Sequence, residues 1–343
     1  MTERHAHLVG SLPGATAREA MSRALDLLGP HLTSLPDGET GERRNWILSV
    51  IEGLRDHPDL ELAKDGDWSD YDRVPRLKVR RGHRLYGAAL DFGHVSVVRE
   101  SLADFRELTE TAGRTDLDFQ QGVPGDLDLA VFTLGPPAGA RHRRAFTEAT
   151  IAEVRDVADL TGERALFQLE VPFELAVTAK APAPVRRALV RGLARGITGV
   201  AAGAAPGTRF AVHLCMGDMN NRPIDRMTDA DPVVQLTNAL VRAWPDDRPL
   251  ELVHAPFAAG DVPAPTDPDF YAPLAELDLP PTVRFAAGIA HESQGLDDQR
   301  GIRDRVEWLL GRPVDVAAAC GLGRRTDEAA TEVMRRTADL CAD

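Results

Sequence analysis

His213 and Cys215, in FAVHLCMGD (210–218), stand two positions apart at the end of an apolar run, so in an extended strand the imidazole and the thiol project from one face. Nitrogen and sulfur donors held in this way suit a soft divalent ion such as zinc, which takes imidazole and thiolate ligands in a four-coordinate shell. Cys320 ends a second apolar run, VDVAAACGLG (314–323), and supplies a third donor. Taken alone, an H-x-C pair reads first as a core histidine beside small buried thiols, so the metal reading depends on what else the chain gathers around it.

The elements that must position these residues are legible as periodicity. Short apolar runs alternate with longer amphipathic segments, the pattern of a parallel sheet wrapped by helices. Eight runs can be counted, HLVGS (7–11), LTSLPDG (32–38), LDLAVFTLGP (127–136), ALFQLEVP (165–172), RFAVHLC (209–215), PLELVHAP (249–256), VRFAAGIAH (283–291) and VDVAAAC (314–320). Eight strand-then-helix units predict one (β/α)8 TIM barrel over residues 1–343. Helices are expected at 16–28, 46–54, 146–160, 184–200, 233–243, 301–310 and 326–339. The stretch 56–115 is too long for one connection and is expected to be an inserted segment with a small hairpin, packed over one barrel face. In such a barrel, chemistry collects where strands end. Here those ends carry Ser11, Asp37, Glu39, Glu170, His213, Cys215, His254, His291, Glu292 and Cys320. Any one of them is as readily a helix cap or a solvated charge.

Composition narrows the class. The chain has 343 residues, 43% apolar and 27% charged, as in a globular protein. No apolar run approaches a membrane span, and the opening MTERHAHLVG lacks the charged-then-apolar layout of an export signal, so a cytoplasmic protein without membrane contact is expected. A net charge of −13 and basic clusters no longer than RHRR (141–144) argue against nucleic acid as a partner. Three cysteines point to reduced thiols rather than a disulfide framework, with Cys341 incidental.

HLVGSLP, DGETGERRNWI, LGPP, FQLEVP, VHLCMGD, GIAHES and ACGLGRR, in this order and at strand ends, resemble the catalytic barrel of cobalamin-independent methionine synthase and its wider superfamily, which includes uroporphyrinogen decarboxylase-like barrels. The resemblance covers nearly the whole chain, and H-x-C followed by C-G-L is its most specific part. It implies a zinc site in which His213, Cys215 and Cys320 are ligands. The family's glutamate ligand falls on His254, so a two-His, two-Cys shell is expected. Glu251, the nearest acid, lies three residues from His254 along the strand and faces the other way. The resemblance further implies that Glu39 and Glu170 face the ammonium of an amino-acid thiol, that Ser11 contacts its carboxylate, and that His291 protonates a leaving amine. Val171 replaces the second acid of the family's Q-x-D-E-P motif. Full-length synthases carry a second, N-terminal barrel, whereas this chain has the length of one, so the folate donor does not carry over. Arg324 and Arg325 are open between meeting an anionic substrate and capping a helix.

Together these readings predict a zinc-dependent transferase that moves a methyl or other alkyl group from a donor to a small thiol or amino-acid substrate, in the manner of methionine biosynthesis. The substitution at His254 keeps a second reading open, a metal-dependent hydrolase or lyase acting on a small acid.

Overall fold

In the computed structural model, which describes residues 3–342, the apolar runs become β1 (Ala6–His7), β2 (Ser34–Pro36), β5 (Asp118–Pro124), β6 (Ala165–Val171), β7 (Arg209–Leu214), β8 (Leu250–Pro256), β9 (Arg284–Ala290) and β10 (Asp315–Ala318), while β3 (Leu60–Lys64) and β4 (Arg76–Val79) form a separate hairpin. The eight strands pair in parallel in the order β1-β10-β9-β8-β7-β6-β5-β2, and a parallel bridge between Ala6 and Leu32 brings the two end strands together. This is the (β/α)8 barrel. Around it run α1 (Ala17–Leu28), α2 (Trp46–Gly53), α3 (His94–Thr111), α4 (Asp126–Leu134), α5 (Pro136–Thr161), α6 (Pro172–Lys180), α7 (Ala183–Gly203), α8 (Asp231–Ala243), α9 (Pro268–Tyr271), α10 (Leu296–Leu310) and α11 (Asp327–Ala342). No helix among the described residues is long and apolar enough to cross a membrane.

Period-two alternation explains how the interior is layered. Leu166, Ala211, Leu252, Ala286 and Ala317, one from each of five neighbouring strands, form a fully buried apolar plug. Two residues further along three of those strands come Gln168, His213 and His254, all buried, and two further again on β6 and β7 come Glu170 and Cys215. The barrel is therefore apolar at one depth, polar at the next, and bears its reactive groups at the mouth.

The third strand differs from expectation. The run 127–136 is helical, in α4, and the strand is DFQQGVP. Its two glutamines hide it, because Gln120 points into the barrel, where its amide donates to Leu8 O at 2.7 Å and its carbonyl accepts from Ser34 Oγ at 2.7 Å. Conversely, LDLAVFTL is apolar on nearly every side because α4 is itself buried among α5, the hairpin strand β4, α6 and α7, and its acids Asp126 and Asp128 lie in the first turn, where the helix dipole favours them.

Segment 56–115 holds the β3–β4 hairpin and ends in α3, which packs between α1 and α5. Before the hairpin's second strand, Tyr71 reaches the barrel mouth. Its hydroxyl donates to Arg222 O at 3.0 Å and accepts from Met219 N–H at 3.0 Å, fixing the loop that follows β7.

Candidate metal centre

His213, Cys215 and Cys320 converge at the barrel mouth, with one donor atom from each lying within 4.8 Å of the others. The two sulfurs stand 3.7 Å apart, and Cys320 Sγ lies 3.7 Å from His213 Nε2. Two thiolates on a single tetrahedral zinc, with zinc–sulfur bonds of about 2.3 Å, would stand about 3.8 Å apart. The donor set and these two spacings thus fit that ion. All three residues line one cleft, so a fourth ligand can arrive from it.

His254 does not join this group. Its Nδ1 lies 2.7 Å from His213 Nδ1 and its Nε2 2.9 Å from Ala318 O, so both nitrogens are engaged behind the cluster. Burial keeps these imidazoles neutral, pushing His213 well below the ordinary histidine range and His254 down to about 4. Glu251 lies at the opposite end of β8, where it and Asp118 both pair with Arg209. The structure thus supplies three protein donors, with His254 a support for one of them.

Glu39 and Glu170 meet on the other side of the mouth. A Cβ on Gly122 would stand 2.9 Å from the Oε1 atoms of both, so only glycine leaves room for the pair. Glu170 Oε1 accepts from Gln168 Nε2 at 3.0 Å, and among the described residues no cation hydrogen-bonds either carboxylate. Burial, the proximity of Glu170 and then Asp37 raise Glu39 well above the usual carboxylate range. Glu170 is raised to about 8, by burial first and Cys320 second. Glu39 also holds φ at 43°, a left-handed backbone that a non-glycine residue keeps only when its surroundings impose it. Its N–H donates to Asp37 Oδ1 at 2.9 Å, and Asp37 is itself paired with Arg43.

Ser11 is buried where the β1 and β10 loops interlock. Its carbonyl accepts from Leu322 and Gly323 N–H, and a Cβ on Gly321 would fall 2.2 Å from its Oγ, which is why the residue after Cys320 is glycine. Arg324 binds Asp218 Oδ2 at 2.9 Å, donates to Cys320 Sγ at 3.3 Å and lies 3.4 Å from Ser11 Oγ. Its charge is thus spent partly on Cys320. Arg325 instead holds the neighbouring loops, through Glu292 and Gly260 O. His291 does the same: its Nε2 donates to Gly260 O at 3.2 Å, its Nδ1 accepts from Ser293 N–H at 3.1 Å, and, like Ser11 and Glu39, it does not line the cleft.

Several residues of this cleft carry little or no signal in the sequence. Tyr71 comes from the long second connection, where periodicity carries no information about docking. Asp128 lines the cleft and faces Glu174 of α6; both are fully buried, and Asp128 Oδ2 and both Glu174 oxygens lack hydrogen-bond partners among the described residues. The D-x-D at the start of α4 was their only local signal.

No protein-family model and no curated protein sequence matches the chain. Among solved structures it is similar to a Listeria monocytogenes protein provisionally named a vitamin-B12 independent methionine synthase, with a TM-score of 0.58 and 12% identity over 100% of this chain and 98% of that one. It is also similar to a methyltransferase from Methanosarcina mazei, with a TM-score of 0.55 and 12% identity over 99% of this chain and 94% of that one. At this identity the likeness establishes the fold.

Proposed function

We propose that this protein is a zinc-dependent transferase that moves a methyl or other alkyl group onto the sulfur of an amino-acid thiol. One observation carries the reading: an imidazole nitrogen and two thiols gather within 4.8 Å of one another in an open cleft, beside two buried carboxylates to which no cation among the described residues hydrogen-bonds. The names of the two solved neighbours, both methyl-transferring proteins, point the same way.

His213 Nε2, Cys215 Sγ and Cys320 Sγ would hold the ion, which when bound supplies a Lewis acid that lowers the pKa of the acceptor thiol toward neutrality. The remaining work falls to the protein. Glu39 and Glu170 accept the hydrogens of the acceptor's ammonium, whose charge offsets the burial and the neighbouring negative groups that raise both carboxyls. Ser11 Oγ and the adjacent Arg324 nitrogen receive its carboxylate, so that the thiol is aimed by three attachments. Tyr71 holds the wall of the cleft. The three cysteines are unpaired, as a reducing cytoplasm would keep them. A hydrolytic use of the cleft drew its support from His254 as a ligand, and the ring's two existing hydrogen bonds weigh against that role.

The test is metal content followed by zinc-edge absorption of the purified protein with and without homocysteine. The expected result is one bound zinc whose shell gains a sulfur on adding the thiol. A protein that binds no zinc, or whose edge is unchanged by amino thiols, would overturn the proposal.

A further inference from the structure

The acids of this chain are unevenly spread. It carries 53 Asp and Glu against 40 Lys and Arg, yet residues 73–90 and 129–147 contain no acid. The first tract holds Arg73, Arg76, Lys78, Arg80, Arg81 and Arg84, and the second holds RHRR. The fold brings them face to face. His83, Arg84 and Tyr86 from one and Arg141, His142 and Arg144 from the other, with the acid Glu148 just beyond the second tract, line an open groove that shares no residue with the metal cleft.

Not every cation there is free. Arg143 turns inward to Asp126, with both hydrogen bonds at 2.7 Å, and Arg144 pairs with Glu148, its neighbour one turn on, at 2.8 Å. That second pair is exposed and therefore weak. His83 pairs with Asp59 at 2.8 Å. Arg84 and Arg141 are exposed and make no ion pair among the described residues. Arg84 instead lies over the ring of Tyr86, 5.0 Å from its centroid, and Tyr86 is 53% exposed, one of four large apolar side chains left open among the described residues. An aromatic ring and a guanidinium plane already stacked offer a platform for a flat ring, and the guanidinium forks beside it match phosphate geometry.

We infer that this groove binds a nucleoside polyphosphate, its base stacked on Tyr86 and Arg84 and its phosphates held by Arg141 and Arg144. Complementarity decides the class: a bare anion would leave the aromatic platform unused, and an uncharged aromatic would leave two arginines without an ion pair in one groove of a chain whose net charge is −13. The inference is independent of the metal centre.

Calorimetric titration of the whole protein with ATP, and separately with inorganic tripolyphosphate, tests it. ATP should bind more tightly than tripolyphosphate. Arg84→Ala with Arg141→Ala should weaken ATP about tenfold or more. Tyr86→Ala should weaken ATP severalfold and leave tripolyphosphate unchanged. All three side chains are exposed, so circular dichroism and zinc content should stay at the parental values. The site is excluded if ATP does not bind or if the arginine variant binds it normally. Equal affinity for the two anions, unaffected by Tyr86→Ala, excludes the nucleoside. Binding of a short oligouridylate that ATP cannot displace assigns the groove to nucleic acid and overturns the inference.

Discussion

His213 and His254 meet through their Nδ1 atoms at 2.7 Å, and one backbone carbonyl decides which of the two carries the shared proton. Ala318 O can only accept, so His254 Nε2, 2.9 Å away, bears a hydrogen. A neutral His254 then has a bare Nδ1, which obliges His213 to donate from its own Nδ1. Neutral in turn, His213 is left with a lone pair on Nε2, the nitrogen that faces Cys320. Strand β10 thus sets the tautomer of a residue on β7 through a ring on β8.

Replacing His254 should therefore loosen metal without removing a ligand. His254→Ala is expected to weaken zinc affinity by about 10- to 100-fold, as losses of an orienting partner do, with the barrel still folded. Competition with a chelator of known affinity measures it. Glu251→Ala, at the far end of the strand, should leave zinc affinity unchanged; zinc loss there with retention in His254→Ala would reverse the assignment.

Cys215→Ser and Cys320→Ser each remove a donor outright. Zinc content should fall to background and transfer should stop, while far-ultraviolet circular dichroism stays parental, since a metal at a barrel mouth is not the core that holds the fold. Activity in a metal-free double variant would end the zinc mechanism.

Glu39→Gln and Glu170→Gln should separate amine recognition from sulfur recognition. Each is expected to weaken homocysteine about tenfold or more and to leave 4-mercaptobutyrate, which has the thiol and carboxylate but no ammonium, within about twofold. Calorimetry on the zinc-loaded protein gives both numbers. Equal losses for the two thiols would move the ammonium elsewhere.

Glu174 makes a prediction about stability. Burial, with Asp126 next, raises its carboxyl to about 8 from an ordinary 4.5, so between those values the native state holds a proton that the unfolded chain has released. Stability then falls as pH rises through that window and is fully present below it. Thermal unfolding from pH 5 to pH 8 should show this decline. Glu174→Gln should make it shallower, Glu39 and Glu170 supplying the remaining slope, and raise stability at pH 7.5 by on the order of 1–3 kcal/mol. A slope unchanged by the substitution would mean that Glu174 is not the group responsible.

What the sequence determined by itself is what local periodicity encodes. H-x-C at the end of an apolar run places imidazole and thiol on one face of a strand wherever that strand sits, and seven of the eight runs became barrel strands for the same reason. The ends of those runs also named Glu39, Glu170, Ser11 and Cys320, because a parallel barrel exposes one end of every strand at the same mouth. Contacts across the barrel had to wait for the tertiary structure. DFQQGVP reads as polar until Ser34 and Leu8 O are known to satisfy Gln120, and LDLAVFTL reads as a strand until α5 is known to cover it. His254 reads as a ligand until Ala318 O takes one nitrogen and His213 the other, and Arg324 is unassigned until Asp218 and Cys320 face it. All of these but the Arg324–Cys320 contact, which spans four residues, depend on a partner at least 41 residues away or on a different element, and a hydrogen bond is decided by what lies within about 3 Å in space, for which spacing along the chain holds no record.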